Sequence, residues 1–316
     1  MKVCYFASMF AIPYKTKQFL FFFVKLLIVV GAIYFSYYQL ANNDKLNWDK
    51  FLVLLQKNKS FSGISFILFL SFLNRFLEIL KWQNLVRTIK NISISEAVKQ
   101  VLAALTLGIF TPVGIGEYAG KALYFDKKFT KKIIFLNLIC NGIQVIATVF
   151  FGIFGLLMLG YSKWAMIMVG IILLFIFSSF LTKNIKIKDY SIKDFIAQIN
   201  LIPRKIHQKN ITFGFCRYLV FSHQYYFLFL GFDVSIAYLP LMATITTVYL
   251  LASIIPSFQF LDFAVRGGLS IYFFGLLGVN EWIVVFVTTL MWFLNIVIPS
   301  LLGGFYVLNF KLKPTN

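Results

Sequence analysis

Apolar stretches of membrane length recur along this chain from Gln18 to Phe310. An α-helix needs about 20 apolar residues to cross the hydrocarbon core of a bilayer. The chain is 60% hydrophobic and only 13% charged, with a mean hydropathy of +0.82, which is unlike a soluble globular domain. The stretches are also too continuous for the alternating strands of a membrane β-barrel, which are roughly ten residues long. The predicted fold is therefore an all-α, polytopic membrane bundle that occupies all 316 residues as one domain.

Six stretches have the length and continuity of complete spans, and two are interrupted. The predicted spans are Gln18–Leu40, Phe61–Leu80, Ile133–Gly160, Trp164–Thr182, Ile211–Gly231 and Trp282–Leu308. The interrupted segments are Gln100–Phe125, with Pro112, Gly114 and Gly116, and Ile236–Leu277, with Pro256, Gly267 and Gly268. Proline and glycine both disrupt regular helices. These six residues are therefore predicted to form hinges in broken helices.

Basic loops indicate the topology, because Lys and Arg concentrate on the cytoplasmic side of a membrane. Such residues both precede and follow Gln100–Phe125, so a re-entrant segment that enters and leaves on one side satisfies both loops. Both termini are then cytoplasmic. The loop Ala41–Ser60 fits least well, because it is placed outside yet contains four lysines. The charge bias leaves open whether Ile236–Leu277 is a re-entrant hairpin or two full spans.

The order of these segments suggests an internal repeat. Each half contains two spans, one interrupted segment and a further span, over residues of about 18–160 and 164–310. Three full crossings per half would insert the second half upside down relative to the first. The sequence therefore predicts an inverted-topology repeat of the kind found in transporters, where broken helices meet near the bilayer midplane.

Each interrupted segment carries an acid followed four residues later by a base. The pairs are Glu117 with Lys121 and Asp262 with Arg266, in the favourable order for an intrahelical ion pair. Charges at membrane depth cost roughly 2.5–3.5 kcal/mol each on insertion scales. One interpretation is that each pair only neutralises itself and locks its segment. The other is that the bases bind an anionic group, for which the planar fork of arginine suits phosphate.

Other polar residues within the spans are candidates for lining the same groove. They are Arg75, Glu78, Asn141, Gln144, Arg217 and Gln224. Hydrogen bonding between helices is an equally good explanation for the Asn and Gln side chains. Arg217 could instead extend to the cytoplasmic interface, and Arg75 and Glu78 could be interfacial. Three scattered cysteines show no metal-ligand spacing, so no metal, cofactor or catalytic residue is predicted.

The net charge of +19 does not indicate nucleic-acid binding, because no basic amphipathic helix or recognition motif accompanies it. We expect the basic loops to meet anionic lipid headgroups instead.

Several motifs together resemble one family. They are LGIFTPVGIGEYAGKALYF, NRFLEILKWQNLV, CNGIQ, RYLVFSHQYYF and LLASIIPSFQFLDFAVRGGLSIYFFGLLGV. They look like the flippase-like transmembrane domain of lysylphosphatidylglycerol synthases. The resemblance covers nearly the whole chain. The match includes Pro112, Gly116, Glu117, Arg217, Gln224, Pro256 and Arg266. Leu261 departs from it, since family members usually show glycine there, and without the soluble aminoacyl-transferring domain lysine transfer is not implied.

The resemblance implies two structural repeats and movement of modified phospholipids between leaflets. The predicted function is a bacterial lipid translocase that carries an anionic phospholipid or lipid-linked intermediate through a polar groove between the repeats. One alternative is a non-catalytic membrane subunit of a lipid or glycan synthesis complex, for example a partner of a glycosyltransferase. The other is a membrane-embedded prenyl-diphosphate phosphatase, which the low number of acids and the presence of only His207 and His223 disfavour.

Overall fold

The computed structural model describes residues 61–109, 111, 114–186, 191–255 and 262–310, with six isolated positions before residue 61 and the backbone alone at 262 and 264. Regular structure in these residues is entirely helical, as predicted. The span Gln18–Leu40 lies almost wholly outside the described residues. Pro112 and Pro256 lie outside them too.

The α-helices are numbered here in chain order. They are α1 (Phe61–Val86), α2 (Ile94–Gly108), α3 (Ile115–Ala122), α4 (Thr130–Met158), α5 (Ser162–Leu181), α6 (Ile192–Asn200), α7 (Arg204–Gly231), α8 (Tyr238–Ile254), α9 (Asp262–Leu276), α10 (Glu281–Trp292) and α11 (Ile298–Leu308). A 3₁₀ turn over Lys127–Phe129 precedes α4, and a π-helical segment over Phe293–Val297 joins α10 to α11.

Four continuous helical stretches are long and apolar enough to cross a membrane. They are Phe61–Val86, Lys127–Met158, Ser162–Leu181 and Glu281–Leu308, and each contains or closely matches one of the predicted spans. Helix α7 lies at a fifth predicted span and is continuous over 28 residues. It is less apolar than these four because basic residues, histidines and amides occur along it.

The distribution of side chains is that of a protein surrounded by lipid. In α5 the only buried residue is Ala165, and large apolar side chains such as Phe175 are 74% exposed. Lys81 and Lys121, by contrast, are fully buried. An apolar exterior around buried charges is the arrangement that a hydrocarbon environment favours.

The first interrupted segment folds into an antiparallel pair of helices, α2 and α3, called here the first helix pair. A side chain on Gly116 would meet Leu107, and one on Gly120 would meet Ala104, so the two helices run in opposite directions at close contact. Helix α3 has eight residues and is about 12 Å long, far short of the roughly 30 Å hydrocarbon core. This geometry agrees with a segment that turns back within the membrane.

The predicted hinge glycines have different positions in the structure. Gly114 adopts a φ of +69° immediately before α3, which is the left-handed conformation that glycine allows. Gly116 lies inside α3, where its lack of a side chain permits the close contact with α2. Gly267 and Gly268 lie inside α9, which continues through them. The break predicted at these two residues is therefore wrong, because isolated glycines weaken a packed helix by only about 1 kcal/mol each.

The second interrupted segment forms α8 and α9, which pack on each other and are called here the second helix pair. Packing between the halves follows a reciprocal pattern. Helix α1 packs on α7, α4 packs on α8 of the second helix pair, and α11 packs on α2 of the first. Glycines permit the close contacts of α4 with α8 and of α11 with α2. A side chain on Gly152 would overlap Leu250, and one on Gly303 would overlap Leu102.

Candidate functional site

A polar cavity of about 210 Å³ lies at the centre of the bundle. Its walls come from α1, α4, α7, α8, α9, α10 and the π-helical segment. Three arginines line it, Arg75, Arg217 and Arg266, and no carboxylate does so among the described residues. The other polar residues of the wall are Asn74, Gln144, Thr148, Tyr225, Tyr249, Ser253, Ser270, Thr288 and Asn295. Apolar and aromatic side chains form the rest of it, namely Phe221, Val248, Phe263, Met291, Trp292 and Ile296.

Glu78 forms ion pairs with two of these arginines, although it does not itself line the cavity. Its Oε2 lies 2.7 Å from Arg217 Nη2 and 3.2 Å from Arg75 Nη1. Arg75 and Glu78 are buried, and the Arg217 side chain is only 18% exposed. All three are therefore parts of an internal network.

A chain of amide side chains extends this network across three elements. Arg217 Nε donates to Asn74 Oδ1 at 3.0 Å, and Asn74 Nδ2 donates to Asn295 Oδ1 at 2.6 Å. Asn295 Nδ2 donates in turn to Gln224 Oε1 at 3.0 Å. Arg75 also donates to the backbone carbonyl of Asn295. The predicted residue Gln224 thus acts on the cavity through Asn295, which is in the π-helical segment, a feature often found at functional sites.

Arg266 reaches the cavity from the second helix pair. Its guanidinium lies over the ring of Tyr249, with Cζ 4.7 Å from the ring centre, within the range of a cation–π contact. Nearby, the Tyr225 hydroxyl hydrogen-bonds Ser270 at 3.0 Å and Thr288. The side chain of Asp262 lies outside the described part, so its predicted pairing with Arg266 stays a prediction.

The pair Glu117 and Lys121 is present but does not line the cavity. Lys121 Nζ donates to Glu117 Oε1 at 2.8 Å and to Asn137 Oδ1 at 2.6 Å, and it lies 4.8 Å from the centre of the Trp82 ring. These contacts fasten the first helix pair to α4 and α1. The geometry therefore agrees with the locking interpretation for this pair, whereas Arg266 of the other pair faces the cavity.

Of the two predicted site residues in α4, Gln144 lines the cavity and Asn141 does not. Gln144 lines the cavity with Thr148, and both polar atoms of its amide lack a hydrogen-bond partner within the described ranges. Asn141 lies away from the cavity wall, and its amide is 3.5 Å from the Tyr118 hydroxyl, at the limit of a hydrogen bond.

Sequence reasoning missed a buried cation, Lys81. Its side chain is fully buried and its ammonium has no hydrogen-bond partner in the described part of the chain. With Lys121, Arg75 and Arg217, four bases are enclosed beside the two carboxylates of Glu78 and Glu117. This interior therefore has two more bases than acids among these six residues. The available signal was the position of Lys81 three residues after Glu78, on the same face of the same helix.

Comparison of the chain with protein-family models, curated proteins and solved structures gave no match.

Proposed function

We propose that the protein is a lipid translocase of the bacterial inner membrane, of the flippase-like kind that its motifs resemble, with both termini in the cytoplasm. It moves an anionic phospholipid or lipid-linked intermediate between leaflets. The observation that carries this proposal is the cavity with Arg75, Arg217 and Arg266 in its wall, inside a bundle with an apolar exterior. An ion transferred bare into hydrocarbon costs tens of kcal/mol by Born estimates, and such a cavity removes that cost for a headgroup.

The side chains of the cavity suit binding and release of a phosphate group. Arginine forks offer paired N–H donors to phosphate oxygens, and the hydroxyls and free amide around them can hydrogen-bond the rest of a headgroup. Arg217, Arg75 and Arg266 are proposed to bind the headgroup, and Glu78 to position two of them. Hydrolysis would ask for a general base at the phosphate, and the wall contains no carboxylate or histidine among the described residues.

Two repeats of opposite orientation are proposed to enclose the cavity. The reciprocal packing supports this arrangement, because the contacts α1–α2, α2–α3, α3–α4 and α4–α8 correspond to α7–α8, α8–α9, α9–α10 and α11–α2. With six complete spans and the helix pairs entering from opposite faces, rocking of one repeat against the other would expose the cavity to each leaflet in turn.

The test is lipid movement in proteoliposomes, using fluorescent phosphatidylglycerol whose outer-leaflet label is bleached chemically. Arg217→Gln removes a charge from the cavity wall, whereas Arg204→Gln removes an exposed charge from the same helix. A charge-assisted hydrogen bond is worth about 1.5–3 kcal/mol, so we expect Arg217→Gln to slow equilibration roughly 10–100-fold and Arg204→Gln to leave it unchanged. Equal rates in the two variants, or no acceleration over protein-free vesicles, would argue against a translocase that uses this cavity.

A further inference from the structure

An apolar cleft of about 570 Å³ lies beside the polar cavity. It is bounded by α1 and α2 on one side and by the π-helical segment and α11 on the other. Its wall is formed almost entirely by apolar side chains, among them Phe72, Val98, Leu294 and Leu302. Phe72 is 65% exposed and Leu302 57% exposed, so the cleft opens sideways, toward the position of the bilayer.

Arg75 joins the two spaces. It is in the wall of both the polar cavity and the apolar cleft, and it is the only charged residue of the cleft wall among those described. Its guanidinium forms an ion pair with Glu78. A molecule with a phosphate next to a hydrocarbon chain would match this change from polar to apolar wall within one site.

The corresponding place in the second half is filled. There, between α4, α7 and α8, the rings of Phe151 and Tyr218 stack with their centres 4.8 Å apart, and those of Phe221 and Tyr249 are 4.7 Å apart. Tyr218 is 1% exposed. Reciprocal helix packing therefore does not by itself create such a cleft, and the open cleft is a property of the α1, α2 and α11 side.

We infer that this cleft binds a hydrocarbon tail of the lipid whose phosphate lies at Arg75 and Arg217. The inference rests on the proposed function and narrows its substrate to lipids in which the anionic group lies close to long apolar chains. The tail enters sideways from the bilayer while the headgroup enters the cavity. A soluble anion would use the cavity alone.

Three matched probes separate the two spaces: dioleoyl phosphatidate has phosphate and tails, glycerol 3-phosphate has the phosphate, and dioleoylglycerol has the tails. Binding to the purified full chain in detergent is measured for each. Leu302→Trp fills the cleft from α11, and Val98→Phe fills it from α2, so that misfolding of one variant does not decide the result. Leu301→Trp is the control, because Leu301 is 42% exposed on the same helix but outside the cleft wall.

We expect both cleft variants to weaken phosphatidate binding at least tenfold, about 1.4 kcal/mol, and to leave glycerol 3-phosphate binding unchanged. Leu301→Trp should bind phosphatidate like the unmodified chain, and Arg217→Gln should weaken both phosphate probes. Equal phosphatidate binding by the cleft variants and Leu301→Trp would overturn the tail site but not the proposed function. Phosphate probes that bind Arg217→Gln normally, or phosphatidate that does not bind the unmodified chain, would overturn both.

Discussion

Glu78 lies between two guanidinium groups, 2.7 Å from that of Arg217 and 3.2 Å from that of Arg75. Glu78→Gln keeps the shape of the side chain and removes its charge, so two cations would then face each other in a largely buried space. Removing one partner of a buried ion pair costs about 3–5 kcal/mol. The amide oxygen of glutamine still accepts a hydrogen bond, so we expect about 3 kcal/mol for Glu78→Gln and about 5 kcal/mol for Glu78→Ala.

The loss is measured as the melting temperature of the purified protein in detergent. For a large domain, 1 kcal/mol corresponds to about 2–4 °C, so Glu78→Gln should melt roughly 6–12 °C lower than the unmodified chain. Glu281→Gln is the control, because Glu281 is exposed at the start of α10 and exposed charges contribute about 0–1 kcal/mol. Bound phosphatidate would replace the missing negative charge, so it should raise the melting temperature of Glu78→Gln more than that of the unmodified chain.

Equal melting temperatures for Glu78→Gln and Glu281→Gln would refute the argument that Glu78 neutralises buried arginines. If phosphatidate stabilised Glu78→Gln no more than the unmodified chain, the anion would not occupy the space next to these arginines. The first result tests the internal ion pairs of Glu78. The second tests the position of the bound anion.

Three further predictions use the same melting measurement. Gly303→Ala would press a methyl group onto the backbone of α2 and should lower stability by about 1–2 kcal/mol, whereas Gly268→Ala has open space around it and should raise stability by roughly 0.5–1 kcal/mol. Lys121→Met leaves a buried carboxylate unpaired and should cost about 3–5 kcal/mol, whereas Lys81→Met removes an ammonium without a described partner and should leave stability unchanged or higher. Ser93→Ala removes the N-cap of α2, where the hydroxyl accepts a hydrogen bond from a backbone N–H of the first turn, and should cost about 1 kcal/mol.

The paired variants also indicate which outcomes would contradict these predictions. A similar rise in stability for both glycine variants would mean that α11 does not approach α2 closely. Equal losses for Lys121→Met and Lys81→Met would mean that Lys81 has a partner as strong as that of Lys121. An unchanged melting temperature for Ser93→Ala would mean that the start of α2 does not limit stability.

The elements of this fold could be predicted from sequence because they follow from local composition. Apolar stretches of sufficient length locate the spans, and the basic loops on both sides of Gln100–Phe125 predicted a segment that turns back, which agrees with the antiparallel α2 and α3. Glycine was ambiguous, because the same residue type marks a turn at Gly114, a close helix contact at Gly303 and neither at Gly267. The neighbouring helix distinguishes these cases, and its identity is not a local property.

The candidate site was only partly predictable for the same reason. Charges within apolar segments identified Arg75, Arg217 and Arg266, because a charged residue is unusual in such surroundings. The role of Asn295 was missed, since its partners lie 220 residues away at Arg75 and 71 residues away at Gln224. Likewise, nothing local to Lys121 shows that Asn137 completes its contacts and keeps it out of the cavity.

The packing of α11, from the second half, on α2, from the first half, has a consequence for synthesis of the chain. Helix α2 is made well before α11, the partner that packs along it. Until then the backbone around Leu102, which Gly303 later covers, has lipid or insertion machinery as its neighbour. The packing of α2 is therefore completed only when α11 arrives, and a stop codon before Ile298 should yield an inserted chain that membrane quality control degrades.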